Sequence, residues 1–271
     1  MHSSGQITAF IIVGIVILAV AGLLFYMQDT LVAEETAPGF AQPVKLYVEE
    51  CLKETAKEAA RSNLLHGGYY TIPADAPVYP LVDIPYYYSL GSTHLIALGR
   101  LESELERSIT DNMEHCIQGL DTFKEKGLTI EAGLARADVS VGRKTTVSLD
   151  MPLDIRDGQA SARLASFDTK LDYDILKLYD TAAAIIDAHD TGYIPFSALN
   201  DIVAEHRLFY ELLNLGGGDI IYSLIDNSTG KDEQLKLNFA AGYGWGQTSA
   251  LEIEPLGKAN ATVGYDFIYD V

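Results

Sequence analysis

The chain has 271 residues, with 38 Asp or Glu against 19 Lys or Arg, a formal net charge of −19 at pH 7 and an isoelectric point near 4.5. That balance argues against nucleic acid or an anionic membrane surface as a partner, because both would repel the chain. With the first stretch of the chain set aside as an anchor, enough remains for one large or two modest domains.

Residues Ile7 to Met27, ITAFIIVGIVILAVAGLLFYM, carry no charge. As a helix they would span about 31 Å, the thickness of a bilayer's hydrocarbon core. They are apolar on every side, where a helix of a soluble protein would keep a polar face, so the expectation is a single membrane span with Tyr26 at its exit. Neither flank carries Lys or Arg near the span, and the first basic residue after it is Lys45. The six-residue head, the acidic residues Asp29, Glu34 and Glu35 and the long acidic body favour an inside N-terminus and a body outside the cell. A cleaved secretory signal would have a shorter apolar region and a basic head. Gly5-Gln6-Ile7-Thr8 before the apolar run resembles the archaeal pilin-type (class III) signal, which is cut just before a Gln. Ser4 and Phe10 stand where that family usually has a basic residue and a Glu, and an ordinary signal anchor remains open. Gly5 and Gln6 are the candidate processing residues.

Residues 28–43 read as a stalk, with Pro38, Gly39 and Pro43 as helix breakers. From Val44 the spacing predicts a helix, with Val44, Tyr47, Val48, Cys51, Leu52, Thr55, Ala59 and Asn63 on one stripe and Gly67-Gly68 at its end. Glu49, Glu50, Glu54 and Glu58 alternate with Lys53 and Lys57, which marks a solvated face. The next segment is rich in Pro and Tyr, and Pro73, Pro77, Pro80 and Pro85 set an extended path. Its tyrosines, Tyr69, Tyr70, Tyr79, Tyr86, Tyr87 and Tyr88, admit two readings: a long loop packed onto the helices, or a binding surface for peptide or sugar at Tyr69, Tyr70, Tyr86, Tyr87 and Tyr88.

A second amphipathic helix starts at Leu98 and carries Leu101, Leu105, Ile109, Asn112 or Met113, and Cys116 on one face. Antiparallel packing of the two helices would bring Cys51 and Cys116 to the same end. The chain has only two cysteines, so a disulfide closing a loop of about 65 residues is expected, worth about 4 kcal/mol in the chain-entropy model. Two separately buried thiols are the alternative. Beyond Gly127 the apolar period falls to two, with Val139 and Val141, then Val147 to Ile155, on either side of a turn at Gly142-Arg143-Lys144. Residues 160–172 read as a further strand. Ile175, Leu178, Tyr179, Ala182, Ile185 and Ile186 predict a helix, and another is expected from an N-cap at Ser197 to Leu213, closed by Gly216-Gly217-Gly218. Two strands, DIIYSLID and QLKLNFAAGYGW, then flank the turn at Asn227.

On these residues the body resembles uncharacterised single-pass surface proteins of small-genome archaea, through QITAFIIVGIVILAV, YVEECLKETAKEA, IPYYY and MEHCIQGLDTFKEKGLTIEAG. The C-terminal IEPLGKANATVGYDFIYDV resembles the first strands of immunoglobulin-like and cadherin-like modules. The expected fold class is therefore α+β: an N-terminal transmembrane helix, a head built of a helical pair and an antiparallel sheet, and the start of a β-sandwich module. The expected divisions are 1–27 for head and anchor, 28–43 for the stalk, 44–250 for an extracytoplasmic domain and 251–271 for the opening of the module.

The search for chemistry finds no spaced set. The six histidines His2, His66, His94, His115, His189 and His206 never pair at zinc-site spacing, and no G-x-S-x-G occurs. Gly216 to Gly218 lacks the Lys and Ser/Thr of a phosphate loop, and Asp190-Thr191-Gly192 occurs once, at a helix end, where it reads as a turn. No catalytic, metal or cofactor residue is assigned, and no cofactor is expected. Asn227 and Asn260 each head an N-x-S/T acceptor. The expected partners are the membrane, through one span, and other surface proteins or glycans. The leading reading is a membrane-anchored surface protein with a structural, adhesion or envelope role, with a pilin-like filament subunit as a variant. A secreted or anchored hydrolase or ligand-binding receptor is the rival.

Overall fold

The computed structural model describes residues 37–79, 82–189, 194–228 and 234–243. The apolar stretch 7–27, most of the stalk and the segment 251–271 lie outside these residues. Among the described residues no helix is long and apolar enough to cross a membrane.

Helix α1 (Gln42–Leu65) presents Val44, Val48, Leu52, Ala56, Ala59, Ala60 and Leu64 as one buried face. Pro43 does not break it. It stands in the first turn, where the missing N–H has no intrahelical partner to lose. Ala41, just before the helix, is fully buried, so the end of the predicted stalk belongs to the folded body. The helix stops as the glycines require: Gly67 N–H donates to Leu64 O and Gly68 N–H to Asn63 O, with φ of +59° and +80° at the two glycines. This pair of bonds is the Schellman arrangement, and the left-handed conformation it needs suits Gly. Any side chain at Gly67 would also collide with the Pro85 ring.

Helix α2 (Leu98–Asn112) packs on α1 and continues, after a break at Met113, as the short helices α3 (Glu114–Gly119) and α4 (Asp121–Lys124). The Leu101 side chain is beside Gly68 and Cys116 beside Thr55, so α2 runs antiparallel to α1. Cys51 and Cys116 are joined in a disulfide with Cα atoms 5.9 Å apart, inside the expected range.

The described strands form two sheets where an antiparallel sheet was expected. One contains β1 (Val78–Tyr79), β2 (Ile84–Ser89), β3 (Ser92–Thr93), β8 (Phe209–Gly216), β9 (Asp219–Asp226) and β10 (Leu235–Gly242), in the order β1-β2-β10-β9-β8 with β3 also on β2. It is mixed, because β2 pairs with β10 in parallel. The tyrosine-rich segment, read from sequence as a loop, therefore supplies an interior strand. The other sheet is built on the long strand β6 (Thr145–Asp157). It pairs with β7 (Ala160–Leu171) through a tight turn, and with β4 (Thr129–Ala132) and β5 (Arg136–Ser140) along its length. Pro152, which has no N–H for a ladder, sits where the β6–β7 register shifts.

Helix α5 (Ile175–Asp187) starts with the Asp174 carboxylate accepting from Lys177 N–H at 3.0 Å. Helix α6 runs only from Phe196 to Glu205, so Ser197 is inside it and not its N-cap, and residues 209–213 are strand and not helix. Its end is the same Schellman arrangement, with Arg207 N–H on Ala204 O and Leu208 N–H on Val203 O, but an arginine holds the left-handed position at φ +55°. No glycine marks the stop, and the sequence reading ran past it. The three glycines 216–218 turn the β8–β9 hairpin instead of closing a helix.

Helix α1 touches β7 of one sheet, β10 of the other, and α2. The main apolar cluster of the described residues draws on all of them, from Leu52 and Leu105 to Leu149, Phe167, Leu178, Leu237 and Phe239, and a smaller one holds Ile84, Ile221 and Ala240. One buried ion pair ties α5 to the six-stranded sheet: Lys177 Nζ is 2.6 Å from Asp226 Oδ2. Burial alone would raise the pKa of Asp226. The bonds from Lys177 and Ser228 outweigh it and hold that pKa below the usual carboxylate value.

The outer edge of β5 is closed by side chains. Backbone N–H groups of Ala137, Val139 and Val141 donate to Thr110 Oγ1, Glu106 Oε1 and Glu102 Oε1 at 3.0, 3.3 and 2.8 Å. Two residues of strand advance about 6.6 Å and four residues of helix about 6 Å, so the two periods stay in step over three contacts. Replacing Glu102 and Glu106 by alanine should cost about 1 kcal/mol for each lost bond, measured by urea unfolding. It should also produce larger species in sedimentation velocity as the bared edge finds other chains. For the disulfide, Cys51→Ala with Cys116→Ala should lower unfolding free energy by about 4 kcal/mol. A loss below about 1 kcal/mol would mean that packing alone holds the two helices together.

Candidate functional site

The tyrosine-rich segment reaches its position through one carboxylate. Glu104, on α2, is 1% exposed and sits between two arginines of its own helix, with Arg100 Nη2 and Arg107 Nη2 each 2.6 Å from a carboxylate oxygen. The N–H groups of Tyr70 and Thr71 donate to its Oε2 at 3.1 and 3.2 Å. A buried carboxylate without partners would cost several kcal/mol, and here two cations and two amides surround it. Arg107 also lies over the Tyr70 ring, 5.6 Å from its centroid. The loop after α1 is therefore fastened to α2 before the chain turns into β1 and β2.

Beyond this fastening, Tyr69, Pro73, Asp75, Pro77, Tyr86 and His94 line an open depression of about 290 Å³. Tyr86 N–H donates to Pro77 O at 2.9 Å and Ala76 N–H to Pro73 O at 3.0 Å, so the wall is held by backbone bonds to proline carbonyls. His94 and Ser89 share a hydrogen bond of 3.0 Å between Nε2 and Oγ. Burial and the Asp219 carboxylate push the Tyr86 hydroxyl up to about 12, which keeps it a neutral donor. The depression offers half-exposed rings with hydroxyl, imidazole and carboxylate groups at its rim. Such a surface can stack on a flat apolar face and hydrogen-bond to polar groups around it.

A second group of titratable side chains converges inside the core. His189, directly after α5, places Nδ1 2.6 Å from Ile185 O and Nε2 2.8 Å from Tyr243 Oη. The carbonyl only accepts, so Nδ1 carries the proton, and the neutral ring's Nε2 accepts from the Tyr243 hydroxyl. Tyr243 Oη is in turn 2.5 Å from Tyr222 Oη. The Tyr88 ring lies 4.6 Å from the imidazole centroid, and the Tyr243 ring is stacked on it at 5.5 Å and 10°. Burial lowers the His189 pKa from its ordinary value, against the Ile185 and Ile186 backbone bonds, which raise it. Burial pushes Tyr222 up to about 12 although its bond to Tyr243 works the other way, and burial followed by Tyr222 raises Tyr243. From sequence, no pocket of converging shifted groups was expected. These three do converge within hydrogen-bond reach, but packed side by side in the core and apart from the depression.

Of the tyrosines proposed from sequence as a binding surface, Tyr87 and Tyr88 are withdrawn from it. They are 0% and 5% exposed, because both faces of β2 are covered here, Tyr88 by the His189 ring. Tyr87 stacks on Phe239 at 4.9 Å and donates its hydroxyl to Gly67 O at 2.9 Å. Tyr69 and Tyr86 line the depression, and Tyr70 stays at the surface under Arg107. Asn227 is exposed, directly after β9. Gly5, Gln6, Asn260 and the Asp190-Thr191-Gly192 triplet lie outside the described residues. The acidic face of α1 is solvated, with ion pairs Lys45–Glu49 at 3.7 Å and Lys57–Glu54 at 2.9 Å. Among the described residues no group of three or more His, Cys, Asp and Glu is arranged to hold a metal ion. The sequence reading missed Glu104 and His189. Glu104 gave a signal, since it falls among Leu101, Leu105 and Ser108 on the buried face of α2, and a carboxylate there must have partners.

Comparison with protein-family models, with curated proteins and with solved structures finds no match for this chain.

Replacing Glu104 by alanine should destabilise the protein by about 2–3 kcal/mol, because two amides and two half-exposed arginines lose their common acceptor. Limited proteolysis should cut the variant within residues 69–77 well before the parent chain.

Proposed function

We propose that this chain is a single-pass membrane-anchored surface protein that acts outside the cell by position, in a structural, adhesion or envelope role. The observation that carries the reading is the Cys51–Cys116 bridge. Disulfides persist in oxidising surroundings, and here one follows an apolar stretch long enough to span a bilayer. The acidity of the body agrees with a solvated outer surface. The resemblance of the N-terminus to the pilin-type signal, of the body to surface proteins of small-genome archaea, and of residues 251–271 to the opening of an immunoglobulin-like or cadherin-like module supports the same placement. A pilin-like filament subunit is a form of this reading.

The rival, an anchored receptor or hydrolase, draws on one observation, the depression between Tyr69 and Tyr86. Its open shape and ring-lined wall suit contact with a glycan or peptide of a neighbouring surface component, which keeps it within the first reading. Nucleic acid is not a partner of a body carrying this charge.

The test is protease treatment of intact cells that express the full chain. Residues beyond about 40 should be removed while the apolar stretch stays with the membrane. Full protection of the body would overturn the outside placement, and release of the whole chain into the medium would overturn the anchor.

A further inference from the structure

We propose that His189 is an acid-operated latch, which fastens the C-terminal end of α5 to β2, β9 and the end of β10 while the imidazole is neutral and releases it on protonation. The inference is independent of where the protein resides.

The geometry gives the neutral ring a fixed tautomer and a fixed place. Nδ1–H is committed to Ile185 O, so Nε2 can only accept, and it does so from Tyr243. Tyr243 follows β10, Tyr222 lies in β9, and Tyr88 covers the ring from β2. Three strands of one sheet thus meet one imidazole at the end of one helix. Protonation puts a hydrogen on Nε2, pointing at a hydroxyl that already points its own hydrogen back. Tyr243 must turn its hydrogen elsewhere, which undoes the order along the Tyr222–Tyr243–His189 chain, and the new charge is held at a site only 7% exposed.

Among the described residues, the titratable groups facing the ring are tyrosines: Tyr88 from β2, Tyr222 from β9 and Tyr243 beyond β10. On its own element, Asp187 is exposed and makes no ion pair with it among the described residues. No described carboxylate within ion-pair range offsets an imidazolium, and the tyrosines stay neutral across acid and neutral pH. The sign follows from the lowered pKa. The folded state binds fewer protons here than the unfolded chain, so the stabilisation is fully present above about pH 6.5 and is lost as pH falls through the folded-state value. The Lys177–Asp226 pair works in a separate window, below the ordinary carboxylate pKa.

Hydrogen exchange of the full chain in detergent, corrected for intrinsic rates, tests the latch. The Ala188 and His189 amides, which donate to Ala184 O and Ile186 O, report on it. Their protection should fall by up to about tenfold for each pH unit below about 6.5. His189→Gln should flatten this to less than about twofold between pH 7 and 5, and His206→Gln, a control at the end of α6, should leave the slope intact. Tyr243→Phe should shrink the loss of protection between pH 7 and 5, because the neutral ring loses the proton it accepts and the folded-state pKa rises towards its ordinary value. A parent chain without the slope, a slope that survives in His189→Gln, or an undiminished loss in Tyr243→Phe would each overturn the proposal. If His189→Gln does not fold, Tyr243→Phe decides the matter alone.

Discussion

Two sheets share one helix, and the rest of the body depends on that sharing. Helix α1 meets β7 of the β6-centred sheet and β10 of the six-stranded one, and its contact face changes character along its length. Val44, Val48 and Leu52 fill space at the first turns, while Ala56, Ala59 and Ala60 let neighbouring backbone come close. Burying each of the larger side chains is worth about 1.5–3 kcal/mol. Neither sheet has this apolar face to rest on without α1. The disulfide fixes the same helix to the chain that leads into the second sheet, and at the other end the Schellman glycines direct it to the first.

Helix α2 does a different job with the same residue type. Glu102 and Glu106, with Thr110, lie four residues apart and reach the β5 edge. Glu104, halfway round the turn, points to the tyrosine-rich loop. The carboxylates of this helix are backbone acceptors on two sides. Each carboxylate accepts from amides that no strand or helix partners.

What the sequence made legible was local. The apolar period announced α1, α2 and α5, alternation announced β5 and β6, and antiparallel packing brought Cys51 to Cys116. What it hid was set by distant partners or by an unmarked residue. The prolines around Tyr86 fit an extended loop and a strand equally well, and only pairing with β10 decides between them. Arg207 ends α6 in a conformation that glycine normally signals, so Leu212 and Leu213 were counted into a helix. Of the candidate binding surface, the segment could be named in advance. Which rings face out could not, because facing is fixed by strand register. His189 carried no signal at all, since its partners Tyr222 and Tyr243 are brought to it only by the fold.

The parallel pairing of β2 with β10 has a consequence for how the molecule is made. A chain emerging from its N-terminus presents β2 early, with Tyr87 and Tyr88 in their extended strand, and the surface that covers them is among the last described residues to appear. Until then β1 and β3, two residues each, are the only described strands beside it. The loop that must close is long, and its entropy is lost before the contacts that repay it exist. Vectorial synthesis therefore leaves an aromatic strand waiting for its neighbour, and the interval is governed by the speed of elongation as much as by the physics of folding.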